Sequence, residues 1–125
     1  MMRTRRRSLV VLIALVLVPW TVRAADITGT WTASFDTQIG QQNYTYTFVV
    51  KGTALTGRAK SANGDTEIAE GKVDGNTVTF VENLKFQDME LRIVYKGTMT
   101  SDDEIKFTRN VADIAMEELV AKRSK

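Results

Sequence analysis

The chain contains no cysteine and no histidine, and its single proline is Pro19. Without cysteine there is neither a disulfide framework nor a lipid-modified N-terminal Cys, so stability has to come from a packed core. Without histidine or cysteine the usual ligands of zinc and copper are missing, as are the Cys and His members of the common nucleophile–base pairs. No metal site, no cofactor and no enzymatic activity are therefore expected. Beyond residue 25 proline is absent altogether, and no helical period lasts more than a turn or two.

Charge is distributed unevenly. The chain opens with Met1-Met2-Arg3-Thr4-Arg5-Arg6-Arg7, which carries four arginines and no acid, and then runs from Leu9 to Trp20 with only Pro19 breaking an apolar stretch. These are the n-region and h-region of a signal peptide. Val22-Arg23-Ala24 places small or compact residues at the −3 and −1 positions, so cleavage is expected after Ala24. Residues 1–24 are then a leader and residues 25–125 a single domain. The apolar run is shorter than the roughly 18 residues that cross a bilayer, so no membrane span is expected once the leader is removed. The segment Thr4-Arg5-Arg6-Arg7-Ser8-Leu9 resembles a twin-arginine signal only loosely, with Ser8 where Phe is usual, and the general secretory route is expected. The product belongs in the periplasm of a Gram-negative bacterium or outside the cell.

Removing the leader takes five arginines and no acid, leaving 12 Lys/Arg against 15 Asp/Glu, a net charge of about −3. A weakly acidic domain with no basic run offers no footprint for a phosphate backbone, so nucleic acid is not an expected partner.

Between turn signals, β-branched and aromatic residues alternate with polar ones, which is an all-β pattern. Eight strands are predicted, over 30–36, 42–50, 54–61, 66–73, 77–86, 89–99, 104–111 and 115–123. The register is testable within the sequence, because paired residues of an antiparallel hairpin point to the same face. A two-residue turn at Gln87-Asp88 pairs Phe86 with Met89, Leu84 with Leu91, Glu82 with Ile93, Phe80 with Tyr95 and Val78 with Gly97, an almost wholly apolar set. In the second strand Tyr44, Tyr46, Phe48 and Val50 share a phase, and the next hairpin sets Ala59, Gly57 and Leu55 opposite the last three. Large residues meet small ones, as the inside of a small barrel requires. Eight hairpin-linked strands left open expose two edges, so closure into an eight-stranded antiparallel up-and-down barrel is expected, with a two-sheet sandwich as the other solution.

Ile27-Thr28-Gly29-Thr30-Trp31 on the first strand and Ala54-Leu55-Thr56-Gly57 on the third resemble segments of the calycin group, the lipocalin- and avidin-type barrels. In that group the Trp of Gly-x-Trp plugs the closed end beneath a basic residue of the last strand, which implies Trp31 and Arg123 here. Biotin binding is not implied, since the mature chain has no tryptophan besides Trp31. The mature sequence also resembles a family of mostly uncharacterised secreted bacterial domains, some attached to glycoside hydrolases. That likeness runs from Trp31 through Gly71-Lys72-Val73 and Glu104-Ile105-Lys106-Phe107-Thr108-Arg109 to Lys122-Arg123.

Three charges fall in the inward phase: Glu82, Arg109 and, if Ala112-Asp113-Ile114 is a three-residue turn, Glu117. That turn pairs Arg109 with Glu117, whereas a two-residue turn points Glu118 inward with no cation beside it. A lone buried ion costs several kcal/mol, so the longer turn is predicted. Two uses of this interior remain open. One is a small, partly apolar ligand held among Tyr46, Phe80, Glu82, Leu91, Tyr95, Arg109 and Glu117. The other is a solid accessory or structural module that contacts a protein or polysaccharide through its outer face. Glu82 and Glu117 also form a pair of carboxylates of the kind glycoside hydrolases use, though nothing in their spacing fixes their separation.

Overall fold

A computed structural model describes residues 25–124, so the expected leader lies outside the described residues. The elements are β1 (Gly29–Thr37), β2 (Gly40–Lys51), β3 (Ala54–Ser61), β4 (Gly64–Glu67), β5 (Ala69–Asp74), β6 (Thr77–Phe86), β7 (Met89–Ser101), β8 (Glu104–Val111) and β9 (Ala115–Arg123). Among the described residues no helix is long and apolar enough to cross a membrane.

The strands form one antiparallel sheet whose neighbours run from β2 through β1, β9, β8, β7, β6 and β5 to β3, and β3 pairs back onto β2. The ring is therefore closed. β4 and β5 together occupy one place in it: β4 pairs with β3 from Arg58–Glu67 to Ser61–Gly64, and β5 with β3 at Ala54–Lys72 and Leu55–Gly71. The eight-stranded up-and-down barrel is what forms, with its fourth strand interrupted at Ile68 where one unbroken strand over 66–73 was expected. The interruption turns the buried Ile68 side chain inward, and Glu70 takes a positive φ of 53° as the register slips between Ala69 and Lys72. A bulge of this kind bends a strand tightly enough to help close a small barrel.

The predicted hairpin registers hold pair for pair in β6–β7, β2–β3 and β8–β9. Their turns supply the positive φ angles that tight connections need, 51° and 63° at Gln87 and Asp88, and 50° and 61° at Ala112 and Asp113. Asn110 secures the longer turn by accepting a hydrogen bond from the Asp113 amide at 2.8 Å. Two glycines matter for packing. At Gly57 a Cβ would fall on the Thr47 carbonyl, and at Gly97 on the Phe107 ring, so neither position accepts a side chain without a shift of its neighbours.

One end of the barrel is sealed. Trp31 is fully buried, its Nε1–H donates to the Ile27 carbonyl at 2.9 Å, and the Arg123 guanidinium lies 4.6 Å from its ring centroid. Arg123 is in turn anchored to the carbonyls of Asp102, Thr28 and Asp26. Above this plug the middle of the barrel is filled by rings: Phe80 stacks on Tyr95 at 4.3 Å, and Phe48 and Phe107 meet Phe80 edge-on at 5.5 and 5.6 Å.

Candidate functional site

The end opposite Trp31 carries the β1–β2, β3–β4, β6–β7 and β8–β9 turns, and here the interior opens. Alternation points Tyr44 of β2, Glu82 of β6, Tyr95 of β7, Arg109 of β8 and Glu117 of β9 inward, and their polar atoms meet at the base of this opening. Glu82 and Arg109 are 1% and 4% exposed.

The hydrogen bonds at this level have a direction. Tyr44 and Tyr95 each donate to Glu82, to Oε2 and Oε1 respectively, both at 2.9 Å. Tyr95 has one hydrogen and spends it there, so it accepts from Arg109 Nη1 at 2.7 Å and from the Tyr46 hydroxyl at 3.0 Å. Burial holds the Tyr46 and Tyr95 phenols well above their ordinary pKa, and both stay neutral donors. Burial also pushes the Glu82 carboxyl upward, against the opposing pull of Arg109, 3.7 Å away, and of the two tyrosine hydroxyls. For Arg109 burial disfavours the charge, but the oxygens of Tyr95, Tyr44 and Glu82 outweigh it and the net shift is upward. The guanidinium is further covered by the rings of Tyr44, Phe35 and Tyr95, at 5.0, 5.1 and 5.4 Å.

Glu117 stands differently. Its Oε1 forms a buried ion pair with Arg109 Nε at 2.9 Å, off the line of the N–H, and neither atom has a hydrogen-bond partner among the described residues. They form part of the wall of a pocket of about 140 Å³. The other walls are largely apolar, with Leu84, Leu91, Ile93 and Val111 along the sides and Ile39, Phe86 and Ile114 toward the mouth; Tyr44, Gln42 and Asn63 add polar edges. Asn63 donates to Gln42 Oε1 at 2.8 Å, tying the β3–β4 turn to β2 across the rim.

Of the residues singled out in the sequence, Leu91, Arg109 and Glu117 line this pocket. Tyr46, Phe80 and Tyr95 stand below it in the filled middle of the barrel, because their rings pack on one another and leave no space between them. Glu82 lies between the two levels, connected to the pocket through Tyr44 and Arg109. Trp31 and Arg123 are at the sealed end, away from any ligand. Sequence reasoning missed Tyr44 as a member of the polar layer, although its inward phase was plain, and missed the side walls Leu84, Ile93 and Val111. A wider depression of about 860 Å³ lies on the outer face between Lys96, Lys106 and Glu118, and among the described residues it contains no buried polar atom lacking a partner.

The buried pair sets up a contrast between neighbours on β9. Glu117→Gln should cost about 2 kcal/mol, because it takes a full charge from a buried guanidinium. Glu118→Gln, exposed and paired across to Thr108, should change stability by less than about 0.5 kcal/mol. Urea denaturation of the two variants checks the register and the pair together.

Neither a family model nor a curated protein matches the chain. A solved structure, EF1p2_mFAP2b bound to DFHBI, is similar to it with a TM-score of 0.56 and 13% identity, over 78% of this chain and 94% of that one. At that identity the likeness is one of fold alone.

Proposed function

We propose that this protein is an exported barrel that binds one small, partly apolar molecule at its open end. The observation that carries the reading is the pocket itself: an apolar chamber whose inner wall holds a buried ion pair, Arg109 with Glu117 at 2.9 Å. Ligand sites are mostly apolar with a few convergent polar groups that fix orientation, and a buried ion pair in an otherwise apolar wall is such a group. The volume is close to that of a cavity that takes up a single benzene-sized molecule, about 150 Å³, so the ligand, or the part of it that enters, is one ring or a short branched chain. The similar barrel, found with DFHBI bound, is an instance of this architecture accepting a ligand.

A panel of small metabolites tests the reading through thermal unfolding. A compound present at a hundred times its dissociation constant stabilises the native state by about 2.7 kcal/mol, a shift of several degrees for a domain of this size. Stabilisation that disappears when Leu91→Phe narrows the pocket supports the proposal, and stabilisation unaffected by that change argues against it.

The solid lower half of the barrel is the feature that favours a second reading, an accessory module of the kind joined to glycoside hydrolases, which contacts a protein or polysaccharide through its outer face. We read the protein as a binder and not a catalyst, since Glu82 and Glu117 are both engaged by one guanidinium and neither stands free for acid–base work. Export to the periplasm or beyond, with residues 1–24 removed, belongs to the same proposal. The Ala25 nitrogen donates to the Gly75 carbonyl at 2.9 Å, a bond that the α-ammonium of a cleaved chain makes equally well. N-terminal sequencing of the secreted form should begin at Ala25; membrane-bound material retaining Met1 to Ala24 would contradict it.

A further inference from the structure

The charges around the pocket do not balance, and the imbalance bears on what the pocket accepts. Arg109 is the one guanidinium of this layer, and it faces two carboxylates, Glu82 at 3.7 Å and Glu117 at 2.9 Å. With both carboxyls ionised, the layer carries one excess negative charge. The two acids are not equivalent. Glu82 receives hydrogen bonds from two tyrosines and is screened from the pocket by them. Glu117, with its side chain 9% exposed, receives no hydrogen bond from any described residue and lies in the pocket wall.

An anionic ligand would add a second negative charge to a buried site that already has one too many, and the cation it would seek is already spent on Glu82, Tyr95 and Glu117. A neutral apolar ligand would leave Glu117 Oε1 with the Arg109 ion pair and no aligned hydrogen bond. A protonated amine corrects both faults: its charge brings the layer to neutrality, and its N–H groups supply the missing hydrogen bonds, which are stronger for being charge-assisted. Leu84, Leu91 and Ile93 surround the remaining space with hydrocarbon.

Resting on the reading of the pocket as a ligand site, we infer that its ligand is a small hydrophobic amine whose ammonium group pairs with Glu117 while its hydrocarbon part lies against Leu91 and Ile93.

Three probes of one shape separate the possibilities: benzylamine, benzyl alcohol and benzoate, titrated at neutral pH into the protein and followed by the methyl resonances of Leu91, Ile93 and Val111. Benzylamine is expected to bind about tenfold or more tightly than benzyl alcohol, and benzoate to bind more weakly than either. Glu117→Gln should bring benzylamine down to the level of benzyl alcohol, with both probes measured on the variant. If Glu117→Gln does not fold, the wild-type series decides, with Glu117→Asp as the milder variant that should narrow the gap. An alcohol that matches or exceeds the amine, or a preference for benzoate, overturns the amine assignment and leaves the pocket reading standing. If none of the three moves those methyl resonances while the protein remains folded, it is the pocket reading itself that fails.

Discussion

Trp31→Ala is expected to destabilise the barrel by about 3–5 kcal/mol. The indole is fully buried, so its loss leaves a void at the sealed end, and three attachments go with it: the Nε1–H bond to Ile27, the contact with the Arg123 guanidinium, and the packing of the N-terminal segment that Ile27 anchors. The stacked guanidinium alone contributes roughly 0.5–2 kcal/mol. A domain of about a hundred residues has only about 5–15 kcal/mol of stability in all, so the variant should unfold at a markedly lower urea concentration or fail to fold at room temperature. Trp31→Phe, which keeps much of the volume and gives up the hydrogen bond, should lose less. A Trp31→Ala midpoint close to that of the wild type would show that the end is not sealed by this side chain.

Arg109→Met is expected to cost a similar amount, about 3–5 kcal/mol at neutral pH, for an electrostatic reason. Methionine fills comparable space, but the change leaves two carboxylates buried at one level with no cation between them. The cost should depend on pH. Burial raises the Glu82 pKa in the folded protein even with Arg109 present, so the folded state binds a proton more readily than the unfolded chain, and stability falls as pH rises through that range. Without Arg109 this shift grows, so the variant should lose progressively more relative to wild type as the pH is raised from about 4.5 and should recover part of its deficit on acidification. Urea denaturation at about pH 4.5 and pH 7.5 provides the comparison. An equal deficit at both values would mean that Arg109 contributes packing and not charge.

Much of this architecture was legible in the sequence because a barrel of hairpins leaves few alternatives at each step. Shifting β9 by one residue would have turned Glu118 into the core and left Arg109 facing Met116, so the charges alone decided the length of the β8–β9 turn. In the same way Gly57 opposite Phe48 and Ala59 opposite Tyr46 disclosed the β2–β3 ladder, since that register sets small residues against large ones. The break at Ile68 was not legible. Glu70 gives no sign that it will adopt a positive φ, and the bend is required by closure of the whole ring and not by any local preference. The position of the pocket was hidden for a related reason. Alternation shows which residues point inward but not at which height the rings stop filling the space, and that height depends on how Phe80 and Tyr95 stack after folding. Tyr44 illustrates the difference: its phase placed it inside, while its bond to Glu82, 38 positions along the chain, exists only because β2 and β6 face each other across the closed barrel.

The most direct test is crystallographic: the position of a bound ring in crystals of the protein grown with benzyl alcohol, the neutral probe. Density for the ring between Leu91 and Ile93, with its hydroxyl directed at Glu117 or Arg109, is the predicted result. Density only in the outer depression near Lys96 and Lys106, with the open end holding nothing but water, would contradict the account.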